Sequence, residues 1–133
     1  MIDKEAEILG RKVKADHVME QAAADLKEIL KATVRDLDPF PPLFDSPFIK
    51  GVEAEPGAAA RADIGCVVVC PDGELYEFTY TLGAAGPMPD FSRKEETKKL
   101  DLPPRDYIPY AYNAIAEVTR LIMERRRQPR PKA

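Results

Sequence analysis

A chain of 133 residues is the size of one ordinary domain, enough to bury roughly two-thirds of the surface its unfolded form exposes. Charged residues make up 32% and hydrophobic residues 44%, a globular composition, and 13 prolines with no tryptophan add stiff, irregular backbone. The net charge of −3 is uneven: six basic residues against Glu124 give residues 120–133 a net +5 and leave −8 for the rest. An acidic body disfavours a general nucleic-acid binder, and no apolar run approaches the roughly 20 residues a membrane span requires.

The charged start, MIDKEAEILGRK, lacks the apolar stretch of a signal peptide, and two cysteines make no disulfide framework. A cytoplasmic, reducing address is expected. Residues 3 to 14, interrupted by Gly10, read as a short helix of their own. In the stretch from Asp16 to Asp38, Val18 or Met19, Ala22, Leu26, Ile29, Leu30, Thr33 and Leu37 recur at helical steps. Asp16 is placed as its cap, and Asp38-Pro39 ends it, because proline disfavours the helical region for the residue before it.

The next segment, DPFPPLFDSPFIKG, sets four prolines among Phe40, Leu43, Phe44, Phe48 and Ile49 and excludes a regular helix. These five residues are candidates for contact with a partner protein, since proline lowers the entropy cost of ordering a loop. Closure of the domain's own end is the equal alternative.

A hairpin is predicted over residues 62 to 82, with β-branched and aromatic residues alternating on either side of Pro71-Asp72-Gly73. A two-residue turn would put Cys70 opposite Leu75; a three-residue loop with Gly73 in the left-handed region shifts the pairing by one. The second register is preferred because it groups the apolar sets: Cys66, Val68 and Cys70 with Tyr76, Phe78, Tyr80 and Leu82, and Val67, Val69 and Leu75 on the other side. The cysteine face is expected to meet the helices. Two strand residues four apart lie about 13 Å from one another, beyond the roughly 7 Å limit for a disulfide. A metal site needs more soft ligands than Cys66, Cys70 and the single histidine, His17, supply. No metal or cofactor is implied.

Residues 83 to 104 show no sustained period and read as a long loop. Gly83-Ala84-Ala85-Gly86 lacks the partners of a phosphate loop and reads as a hinge, and RKEETKK reads as a solvated charge run. The last periodic segment carries Ile108, Ala111, Ile115, Val118 and Ile122 as a helical stripe, with Pro109 assigned to the first turn. Its arginines suit the negative pole of the helix end, and residues 128 to 133 read as a flexible basic tail.

The fold expected is α+β in two layers, a small antiparallel sheet centred on the 62–82 hairpin against an N-terminal and a C-terminal helix, as one domain over residues 1–127 with long loops at 38–51 and 83–104. With Ser46 and Ser92 as the only serines and one histidine, no nucleophilic triad is suggested, and no catalytic activity of its own is expected. A chain of about this mass with two helices, a hairpin and long docking loops resembles the small subunit of ATP-dependent ketone carboxylases of the acetophenone carboxylase kind. The resemblance implies a non-catalytic subunit whose partners are larger subunits that carry the chemistry. Two functions follow as expectations: an interaction module, in a larger enzyme complex or a homo-oligomer, or a small ligand-binding protein or enzyme with a pocket between sheet and helices lined by Tyr76, Tyr80, Tyr107 and Tyr112.

Overall fold

The computed structural model describes residues 3–44, 48–82 and 93–128, apart from the side chains of 80–82, 93 and 94. The expectations for Ser46, Ser92, the Gly83–Gly86 hinge and residues 129–133 lie outside it. The first helix, α1 (Lys4–Arg35), is continuous, so the boundary expected near residue 15 is corrected. Asp3 is the cap, its carboxylate accepting from the Glu5 amide at 3.0 Å, while Asp16 sits inside the helix paired with Lys12. Gly10 costs about 1 kcal/mol in a helix. The Lys, Glu, Ala, Arg and Leu around it are strong helix formers and offset that cost.

The chain then forms strands β1 (Val52–Glu53), β2 (Cys66–Val69), β3 (Leu75–Leu82) and β4 (Arg93–Lys99), and ends in helix α2 (Pro104–Arg127). The four strands make one antiparallel sheet in the order β1-β2-β3-β4. The hairpin takes the three-residue register, Cys66 opposite Phe78 and Val69 opposite Leu75. Gly73 has a φ of 79°, the left-handed conformation the loop requires.

The charge run RKEETKK is strand rather than solvated loop, pairing with β3 from Leu82–Arg93 to Tyr76–Lys99. Its composition conceals this because an edge strand keeps one side in water, where lysines also block pairing with a further chain. Helix α2 begins a turn earlier than expected: Pro104 takes the first-turn position and Pro109 falls inside the helix.

The two helices run parallel, with Ala23 and Lys27 near Pro104 and Tyr107 at one end and Asp36 and Asp38 near Arg125 and Arg126 at the other. Between them and the sheet lies the main core, where Leu30, Val34, Tyr110, Ala114 and Val118 meet Val67, Val69 and Leu75. The cysteine face therefore points away from the helices, contrary to expectation. Both faces of the hairpin are apolar, so alternation tells which residues share a face but leaves open which face the helices cover. The outer face carries a second cluster, Leu43, Val68 and Phe78, with Ile49, Cys66, Cys70 and Tyr76 packed around it.

Candidate functional site

The proline–aromatic segment closes the outer face of the sheet as a narrow ribbon. The Leu43 amide donates to the Ile49 carbonyl at 2.8 Å, and the Gly51 amide to the Pro41 carbonyl at 3.0 Å. The ribbon divides the five candidate contact residues. Phe40 and Leu43 are buried in the domain's own cores, and Ile49 is half-buried. Phe44 and Phe48 face outward, 58% and 88% exposed. Phe44 has a φ of 51°, a conformation uncommon for a bulky residue, and its ring leans on Phe78 with centroids 6.0 Å apart. Beside it opens a cleft of about 260 Å³ with Pro41, Pro42 and Phe44 on one wall and Glu117, Arg120 and Leu121 of α2 on the other. Arg120 is held in place by Glu117 at 3.0 Å and Glu124 at 2.6 Å.

Tyr76, Tyr107 and Tyr112 do not converge. Tyr76 lies on the outer face, its hydroxyl donating to the Asp72 carboxylate, which with partial burial raises its pKa to about 12. Tyr107 is on the helix side, lining a cleft of about 150 Å³ with Ala23, Lys27, Glu74 and Leu102, and burial, then the charge of Glu74, raises its pKa to about 12. Tyr112 is 64% exposed on α2, and the backbone of Tyr80 pairs with Glu95. Strand alternation sends Tyr76 away from the helices, and two residues of helix rotate Tyr112 by about 200° from Tyr110. Tyr110 itself is fully buried, accepting a hydrogen bond from the Arg61 amide at 2.9 Å.

Among the described residues, Glu53, Glu55 and Cys66 bring one ligand-capable atom each within 4.8 Å of the others. Sequence reasoning missed this set because it weighed only cysteine and histidine; β1–β2 pairing supplies the carboxylates. Burial, then Glu53 and Glu55, pushes the Cys66 thiol up to about 11, and burial, then Glu55, raises Glu53. The thiol is thus protonated at neutral pH. Cys70 is likewise raised to about 11, by burial and then Asp72.

No protein-family model, curated protein or solved structure matches the chain. No described helix is long and apolar enough to cross a membrane. At the end of α2, Arg125 and Arg126 share a cleft of about 560 Å³ with Asp36 and Asp38. A phosphate there would meet two carboxylates as well as two guanidiniums. The outward phenylalanines and the cleft beside them are the candidate site that remains.

Proposed function

We propose that the chain is a non-catalytic interaction module, a small subunit that docks on a larger protein through its proline–aromatic ribbon. The observation that carries the reading is the division of the ribbon: Phe40 and Leu43 anchor it in the core while Phe44 and Phe48 are turned to solvent. Closing the domain does not require two phenylalanines more than half exposed, and large apolar side chains turned to solvent are what interface anchors supply. The large subunits of an enzyme complex of the ketone carboxylase kind are one partner of the right sort.

Native purification followed by mass spectrometry is the test. A large partner is expected in stoichiometric amount, lost when Phe44→Ala is combined with Phe48→Ala while the circular dichroism spectrum of the isolated chain is unchanged. Recovery of the chain without any partner, or an undiminished complex from the double variant, would overturn the reading.

A further inference from the structure

The first half of α1 stands clear of the body: every residue from Asp3 to Gln21 is exposed, including Ile8, Leu9, Val13, Val18 and Met19. Helix α2 accompanies α1 only from about Ala23 onward. On the exposed side runs a stripe of two interleaved seven-residue series: Ile8, Ala15, Ala22 and Ile29, with Arg11, Val18, Asp25 and Ala32. Seven residues are close to two helical turns, so these positions stay on one side of the helix. Ile8, Val18 and Ile29 are 51%, 65% and 49% exposed, and Arg11, Ala15, Asp25 and Ala32 are exposed as well. This stripe lies beside Leu26, Leu30 and Val34, which pack toward the core, and Ala22 at its margin is half-buried.

The stripe is self-complementary about Val18. We propose that it is the dimer interface of the protein, α1 pairing antiparallel with α1 of a second copy across a two-fold axis at Val18. In such a pair, a residue some number of positions before Val18 lies level with the one as many positions after it in the other copy. Arg11 and Asp25 stand seven before and seven after, so these two opposite charges form a reciprocal pair of salt bridges. Asp25 also accepts from Gln21 of its own helix at 3.0 Å, through one carboxylate oxygen. Ile8 comes level with Ile29 to within one residue, and Ala15 with Ala22, small side chains that permit close helix approach.

The overlap from Ile8 to Ile29 spans about 32 Å of helix at 1.5 Å per residue. Parallel pairing would instead set Arg11 against Arg11 and Asp25 against Asp25. The like-charged approach of Glu7 to Glu28 in the antiparallel pair is between exposed side chains, where salt screens it. The competing route to a dimer, the β4 edge, is guarded by its lysines.

Sedimentation of the full chain over a range of concentrations tests the proposal. A dimer is expected. Val18→Glu, which places two carboxylates on the axis, should weaken it at least about tenfold in Kd, while Leu9→Glu on the far side of the helix should leave it unchanged. Arg11→Asp should weaken the dimer, and Arg11→Asp combined with Asp25→Arg should restore it. Circular dichroism identifies any variant that has lost helix. A monomer at all concentrations, a dimer indifferent to Val18→Glu, or failure of the charge swap to rescue would overturn the proposal. None of those results would touch docking through Phe44 and Phe48, which is a separate surface.

Discussion

Gly73 shows most directly what a single residue decides. A Cβ built there would lie 2.8 Å from Cγ and 3.0 Å from Cα of Lys31, so the turn packs against α1 where only hydrogen fits. The left-handed backbone adds its own penalty for any other residue. Gly73→Ala should therefore cost about 2 kcal/mol or more, read as a lowered urea midpoint with unchanged slope. Tyr110 is the second such position. Its hydroxyl accepts the Arg61 amide and its ring is 1% exposed, so Tyr110→Phe keeps the packing and strands one donor. A loss of about 1 kcal/mol is expected by the same measurement.

At the scale of elements, the proline–aromatic ribbon does two jobs with different side chains. Leu43 is 2% exposed against Val68 and Phe78, and Leu43→Ala should destabilise the chain by about 2–4 kcal/mol in chemical denaturation. Phe48 is 88% exposed, and Phe48→Ala should change stability by no more than about 0.5 kcal/mol. Equal losses from the two substitutions would mean that Phe48 is packed and that the outward face of the ribbon is not a docking surface. Strand β4 shows the opposite economy: its charged side chains lend the core little, and pairing with β3 along its whole length holds it.

For the whole molecule, the groups with shifted pKa values set an alkaline limit. The thiols of Cys66 and Cys70 rise from an ordinary 9.0 to about 11, and the phenols of Tyr76 and Tyr107 from 10.0 to about 12. Each of these groups is neutral when protonated and binds its proton more tightly in the folded chain. Their contribution to stability is therefore fully present below about pH 9 and is lost as pH rises through about 11 to 12. Denaturation midpoints should fall across that window, and Cys66→Ser with Cys70→Ser should flatten its lower part. Labelling of the folded cysteines by a thiol reagent should accelerate near pH 11 rather than near 9.

Local chemistry was enough to set the α+β class, helix at both ends of the domain, the hairpin register and the absence of a Cys66–Cys70 disulfide, though not the continuity of α1. Turn residues and side-chain periods act over a few neighbours and can be read without the rest of the chain. Tertiary structure alone decided which face of the hairpin the helices cover, because Val67, Val69 and Leu75 rival the cysteine face in hydrophobicity. It decided that RKEETKK is a strand, since its pairing partner is separated from it by residues 83–92, and that Phe40 and Leu43 turn inward while Phe44 and Phe48 turn outward. Burial of identical residue types in one proline-rich segment depends on what the rest of the chain places beside them, and no local pattern carries that information.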